Sequence, residues 1–119
     1  MTTTPRTAPH ADLLDEIRER LSRTRPVVAG TMFRSPALRV NDDAFAFLGR
    51  GGRLIVKLPA HRIADLAADG AVRNVTMGRR TMREWAEVLD GPDIDHWLPR
   101  CTEALDFVAA PHTATGPVR

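Results

Sequence analysis

The sequence predicts a small α+β domain, and three observations support this fold class. The stretch from Leu38 to Pro59 alternates apolar and polar residues around two turn signals, which is typical of three short antiparallel strands. Two other stretches, 13–21 and 93–110, repeat apolar residues at helical spacing. The chain has 119 residues, a length that suits one domain with one hydrophobic core.

Composition and charge limit the classes of protein to which the chain can belong. Hydrophobic residues make up 43% of the chain and aromatic residues 5%, so we expect a core built mainly from Leu, Val, Ile and Ala. The formal net charge is only +2, which is too small to indicate a nucleic-acid-binding protein by itself. Cys101 is the single cysteine, so no internal disulfide bond can form. No signal peptide or membrane-spanning stretch is recognisable, so the sequence predicts a cytoplasmic protein that does not enter a membrane.

Both ends of the chain are predicted to be flexible tails. Residues 1–11 are rich in Thr, Pro and Ala and show no periodicity, and residues 111–119 follow a proline that ends the last predicted helix. The remaining residues, 12–110, then form a single domain.

A helix opens the predicted domain. Leu13, Leu14, Ile17 and Leu21 recur at helical spacing. Asp12 is the predicted N-cap because its carboxylate can accept free amides of the first turn. The next stretch, residues 27–34, can be either a connector or a first strand.

The three central strands are each predicted to have one covered and one wetter face. Leu38 and Val40 share a face of the first strand, and Phe45 and Phe47 share a face of the second. A glycine-rich turn joins the second strand to the third. The third strand has Leu54, Val56 and Leu58 on one side and Arg53, Ile55 and Lys57 on the other.

The second half of the chain contains two helices and one ambiguous segment. Residues 60–69 predict a helix, and residues 71–77 a short strand. The segment from Met82 to Leu89 fits helical spacing better than strand alternation. A last helix is predicted from about residue 93 to residue 110, and Pro99 either kinks it or begins it after a separate turn.

A series of short motifs runs along the chain between residues 13 and 109. The motifs are Met32-Phe33, Leu38-Arg-Val-Asn41, Ala44-Phe-Ala-Phe-Leu48, Leu54-Ile-Val-Lys-Leu58, Gly70, Gly78-Arg79, Met82-Arg-Glu-Trp85, Trp97 and Ala104-Leu-Asp-Phe-Val108. Their order and spacing resemble the N-terminal domain of the TfoX/Sxy family. The closely similar MmcQ/YjbR group, often described as DNA-binding, shares the general layout. Arg34 departs from the pattern, because the family usually has glycine there.

The family resemblance implies features of the fold and function that the residues alone do not predict. It implies a two-layer α+β fold in the order α-β-β-β-α-β-β-α, with an antiparallel sheet of about five strands and the helices on one face. It also implies that Arg83 to Val88 is a strand, and we follow the family because packing on both faces readily overrides local helical propensity. By the same resemblance we expect a bacterial binding module and not an enzyme.

No catalytic, cofactor or metal site is predicted. His61, His96 and Cys101 lack the short spacings of metal motifs, and Cys101 lies on the apolar stripe of the last helix. The loop at residues 49–52 joins two strands, so it is predicted to be a hairpin turn and not a phosphate loop. An acidic run is interpreted as a solvated face, and it comprises Glu84, Glu87, Asp90, Asp93 and Asp95.

Basic residues provide the best candidate surface. Ile55 alternates with cations on the third strand, and we expect it to be partly exposed if helices cover only the other face. This surface is predicted to bind a protein partner or a second copy of the chain. The alternative is nucleic acid, bound as by an MmcQ/YjbR-like DNA-binding protein. The candidate interaction surface comprises Arg53, Ile55, Lys57, Arg79, Arg80 and Arg83.

Overall fold

A computed structural model describes residues 10–32, 34–77 and 80–110, so nearly all of the two predicted tails lies outside the described residues. None of the helices in these ranges is long and apolar enough to cross a membrane. The elements in chain order are α1 (Ala11–Leu21), β1 (Val28–Met32), β2 (Ser35–Val40), β3 (Asp43–Leu48), β4 (Leu54–Lys57), α2 (Ala60–Ala68), β5 (Val72–Met77), β6 (Arg80–Val88) and α3 (Ile94–Ala109).

The six strands form one antiparallel sheet in the order β1-β2-β3-β4-β6-β5. This confirms the α+β class and the predicted order of elements, with six strands where about five were expected. The additional strand is β1, which lies in the stretch 27–34 that the sequence left as connector or strand. It pairs with β2 along its whole length, from Val28 opposite Arg39 to Met32 opposite Ser35.

Helix α1 begins earlier than the sequence predicts. His10 occupies the cap position and Asp12 lies inside the first turn, so the prediction of Asp12 as N-cap is wrong. The reason is a contact distant in sequence: Nδ1 of His10 donates a hydrogen bond to the Gly52 carbonyl at 2.9 Å. The His10 ring also packs edge-on against Trp97, with ring centroids 5.6 Å apart. These contacts hold His10 and Ala11 in ordered structure, although the sequence placed them in the tail.

The main hydrophobic core lies between the three helices and one face of the sheet. Helix α3 contributes more buried residues to this core than either of the other helices, and it runs without interruption through Pro99. Its N-terminus is capped by Asp93, whose Oδ1 accepts a hydrogen bond from the His96 amide at 2.9 Å. The buried residues of α3 are Trp97, Cys101, Ala104, Leu105 and Val108, as its periodicity predicts.

A β-bulge separates the two phenylalanines of β3. Leu38 pairs with Ala46 but Arg39 pairs with Ala44, so Phe45 has no partner on β2. The extra residue turns Phe45 into the main core, while Phe47 lies on the opposite face of the sheet. The prediction that Phe45 and Phe47 share one face is therefore wrong, because simple alternation assumes an unbroken ladder.

The ambiguous segment from Met82 to Leu89 is a strand, since β6 extends to Val88. Its helical periodicity is misleading because β6 lies inside the sheet, between β4 and β5, where pairing with both neighbours overrides local helical propensity. Ala86 and Val88 point into the main core, while Trp85 belongs to a second cluster on the other face. Strand burial of this kind confirms the assignment of residues 83–88 that the family resemblance implied.

Two of the turns contain residues in the left-handed backbone conformation. Gly51 and Gly52 have φ of +75° and +80° in the loop between β3 and β4, which confirms the predicted hairpin turn. Arg34 stands where the TfoX/Sxy pattern has glycine. Its φ of +65° is in the left-handed region, which residues other than glycine rarely adopt.

Candidate functional site

The face of the sheet opposite the helices carries a second apolar cluster, and we call this side the open face. All six strands contribute to the cluster, which is built from strand residues alone. Its buried members are Ala37, Phe47, Ile55 and Trp85, and its partly buried members are Met32, Ala44, Val75 and Met82. The open face therefore has its own apolar floor, formed without cover from a helix.

One row of cross-strand partners runs across the open face through five strands. Ala37 lies opposite Phe47, Phe47 opposite Ile55, Ile55 opposite Glu87, and Glu87 opposite Arg73. Because cross-strand partners point to the same face, the register itself places an apolar half and a charged half side by side. The boundary between the two halves falls between Ile55 on β4 and Glu87 on β6.

Glu87 is the centre of the charged half. Its side chain is 14% exposed and contacts two arginines that are each more than half exposed, Arg53 and Arg73. Nη1 of Arg53 lies 3.3 Å from Oε2 of Glu87. Arg73 approaches with two nitrogens, Nε at 3.1 Å from Oε1 and Nη2 at 3.3 Å from Oε2. This corrects the interpretation of the acidic run for Glu87 alone, which is largely covered and shared between two cations. The other members of the run are exposed as predicted, namely Glu84, Asp90, Asp93 and Asp95.

A groove of about 770 Å³ lies over this row of residues. Its floor includes Phe47, Ile55 and Val75, and its ionisable lining is Arg50, Arg53, Arg73 and Glu87. Three arginines against one glutamate give the groove a formal charge of +2. Arg50 is exposed and makes no ion pair with any described residue. A smaller depression of about 300 Å³ shares Arg53, Arg73 and Glu87 but also contains Asp90.

The structure places half of the predicted interaction surface on the open face. Ile55 and Lys57 share the side of β4 that the alternation predicts, and Arg53 precedes them on the same side at the edge of the groove. Ile55, however, is only 9% exposed, so the expectation of a partly exposed isoleucine is wrong. Neighbouring side chains of its own face cover it, among them Phe47 and Trp85. Nζ of Lys57 lies 5.7 Å from the centre of the Trp85 ring, within the range of a cation–π contact.

The second half of the predicted surface lies mostly on side chains that the structure does not describe. Arg79 lies outside the described residues, and for Arg80 the structure describes the strand position but not the side chain. Arg83 is exposed and belongs to a part of β6 that has no partner on β5. Besides the predicted Arg53, the described lining of the groove contains Arg50 and Arg73, neither of which is in the predicted set.

Other reactive side chains do not form a site in the described part of the chain. Within residues 10–32, 34–77 and 80–110, no group of three His, Cys, Asp or Glu side chains could hold a metal ion. Burial raises the pKa of the Cys101 thiol to about 12, which keeps the sulfur protonated. The hydrogen bond between Asp93 and His96 lowers the pKa of Asp93 and raises that of His96, and both side chains are about half exposed.

Comparisons with known proteins do not assign the chain to a family. No protein-family model matches it, and no curated protein matches its sequence. The resemblance to the TfoX/Sxy N-terminal domain therefore stays a prediction, as does the resemblance to the MmcQ/YjbR group.

Proposed function

We propose that the chain is a small, non-enzymatic binding module that binds its ligand or partner on the open face, as the resemblance to the TfoX/Sxy N-terminal domain implies. The observation that carries this proposal is the groove, in which an apolar floor and an arginine-rich edge meet at one row of the sheet. Concave sites of this mixed character are the usual form of ligand pockets.

Among the described residues, no helix covers the open face of the sheet. The helices cover the opposite face, where Leu54, Val56 and Leu58 are fully buried in the main core. Glu87 and its two arginines form the charged edge of the groove. Both arginines remain more than half exposed, so a partner can reach them. A partner that docks here does not have to displace any element of the fold.

Native mass spectrometry of the chain, purified gently from its own cells, tests this proposal. Ser35 lines the groove, and replacing it with tryptophan adds an indole ring there; Thr102→Trp makes a comparable change on the exposed side of α3. We expect a bound mass, whether small molecule or protein, on the wild type and on Thr102→Trp but not on Ser35→Trp. A bound mass that survives Ser35→Trp, or a wild type that carries none, would contradict the proposal.

Nucleic acid is the second candidate partner, and the cations of the open face favour it. Arg50, Arg53, Lys57 and Arg73 lie on or beside one side of the sheet, where they could meet phosphates. Against it, Phe47 and Trp85 are covered, so neither offers an exposed ring on which a base could stack. If nucleic acid is the partner, affinity for duplex DNA falls steeply as salt rises; no binding at about 50 mM salt would exclude it.

A further inference from the structure

We propose that the groove binds a small organic anion, that is, a carboxylate or phosphate group attached to an apolar body. This inference rests on the proposed function, because it names the occupant of the same open face. The volume of about 770 Å³ falls within the range of about 300–1,000 Å³ that is typical of small-molecule sites. A flat protein interface would not need a concave volume of this kind.

The charged edge of the groove has free hydrogen-bond donors. A guanidinium group carries five N–H bonds, and Arg53 contacts Glu87 through Nη1 alone. Arg50 makes no ion pair with any described residue, so its guanidinium is fully available. Planar guanidinium groups match the oxygens of carboxylates and phosphates with two parallel hydrogen bonds. The edge can therefore bind one anionic group without breaking an existing ion pair.

Glu87 has a positioning role in this arrangement. It fixes Arg53 and Arg73 in place, which reduces the rotamer entropy that two free arginines would lose on binding an anion. It also neutralises one of the three positive charges, leaving the groove at a formal +2. The smaller depression lacks this excess, because Asp90 and Glu87 balance the two arginines there. Charge complementarity thus selects the larger groove as the anion site.

The apolar floor of the groove indicates that the anionic group of the ligand is attached to an apolar body. Phe47, Ile55 and Val75 line the groove beside the arginines. An apolar group of the ligand that covers these side chains is removed from water together with them, and this burial favours binding by roughly 25 cal/mol per Å². A simple inorganic ion would gain nothing from the floor, so we expect an aliphatic or aromatic body on the ligand.

Amide chemical shifts of the ¹⁵N-labelled full chain test the inference directly. The probes are 4-phenylbutyrate, phenyl phosphate, the neutral amide of 4-phenylbutyrate, and inorganic phosphate. We expect one or both organic anions to shift amides of groove residues such as Arg53 and Glu87, and the stronger of the two identifies the anionic group. The neutral amide and inorganic phosphate should each bind about tenfold more weakly or worse. Equal binding of the neutral amide, or shifts that cluster away from the groove, would overturn the inference.

Two variants then test the assignment of charges. Arg50→Gln should weaken binding of the preferred probe about threefold, because the groove loses one of its positive charges. Arg23→Gln removes an exposed arginine that does not line the groove and should leave the affinity unchanged. An Arg50 variant that behaves like the Arg23 variant would contradict the assignment.

Two further outcomes separate this inference from the proposed function. If no probe shifts the groove amides at about 10 mM, the small-anion inference is wrong, while the comparison of the Ser35 and Thr102 variants still decides whether the open face binds a partner. If a short DNA duplex shifts the same amides at concentrations where the small anions do not, the occupant is nucleic acid and the inference is also overturned.

Discussion

Arg73 and Glu87 face each other across β5 and β6 and form a two-point ion pair, with Nε–Oε1 and Nη2–Oε2 distances of 3.1 and 3.3 Å. This pair depends on an irregularity in the hairpin. Near the turn, Met77 lies opposite Arg80 and Val75 opposite Met82, but one residue further Asn74 lies opposite Ala86. The register therefore shifts by three residues along β6.

The shift decides which acid reaches the groove. A regular hairpin continued from the turn would place Arg73 opposite Glu84. The shift instead brings Glu87 opposite Arg73 and next to Ile55 on β4. Glu87 can then contact Arg53 as well, so one carboxylate links the two arginines of the charged edge. The charged half of the open face is thus a product of strand register.

The ion pair between Arg73 and Glu87 should contribute a small, salt-sensitive coupling energy. We expect a double-mutant cycle with alanine at both positions to give about 0.2–1 kcal/mol in low salt, because Arg73 is largely exposed to solvent. Chemical denaturation measures each free energy of unfolding, and about 1 M salt should reduce the coupling. The pair Arg20–Glu16 on α1 provides a control of the ordinary surface kind. A coupling that does not respond to salt would contradict this description.

Phe45 should be among the most costly residues to truncate. It is fully buried in the main core as the extra residue of the bulge, so Phe45→Ala should lower the free energy of unfolding by about 3–5 kcal/mol. Phe45→Leu leaves a smaller cavity and should cost less, which keeps the test valid if the alanine variant does not fold. Val28→Ala, at a position 56% exposed, should change stability by less than about 0.5 kcal/mol. A Phe45→Ala cost similar to that of Val28→Ala would show that the ring lies outside the core.

The cap of α3 should make stability depend on pH at two points. The hydrogen bond to His96 lowers the pKa of Asp93, so its contribution is present above the ordinary aspartate pKa of about 3.9 and is lost as pH falls through the lower, folded value. The same bond raises the pKa of His96, so its contribution is complete below about 6.5 and is lost as pH rises through the folded value.

Asp93→Asn isolates this effect, because asparagine keeps the capping geometry but removes the carboxylate. The difference in Tm between wild type and this variant should be largest between about pH 4 and 6.5 and should shrink at both ends. Asp15→Asn, on the exposed side of α1, is the matched control, because it removes a carboxylate from a surface pair with Arg18 and leaves the α3 cap intact. A wild-type advantage that persists at pH 9 would contradict the role of His96.

Cys101 should be unreactive in the folded protein. Its side chain is fully buried in α3, and burial raises the pKa of the thiol to about 12. The nucleophilic thiolate is therefore almost absent at pH 8. We expect Ellman's reagent to label the single thiol only when guanidinium unfolds the chain, with labelling and unfolding sharing one midpoint. Rapid labelling of the native chain would show that this part of the core opens readily.

The sequence predicts those elements whose pattern is local. The alternation of Leu54, Val56 and Leu58 identifies a core-facing strand because β4 is regular and has neighbours on both sides. Helix α2 was equally clear, since Pro59 precedes it and Gly70, with φ of +79°, follows it. Both predictions depend only on residues within a few positions of one another.

The remaining features depend on contacts that are distant along the chain. The bulge at Phe45 reverses the face of one side chain, and nothing in a local apolar pattern marks it. Trp85 fits a helix by spacing, but its strand position is fixed by pairing with Lys57 on β4. Arg73 and Glu87 were missed as site residues because their meeting requires a register that a single sequence does not reveal.

The most direct test of the central claim is a competition on the native protein. The chain, purified with its natural occupant, is titrated with the preferred anionic probe while native mass spectrometry follows both bound masses. If the groove is the binding site and takes an anion, the probe should displace the natural occupant, and the neutral amide should not. The account would be contradicted if the natural occupant stayed bound while the probe bound alongside it.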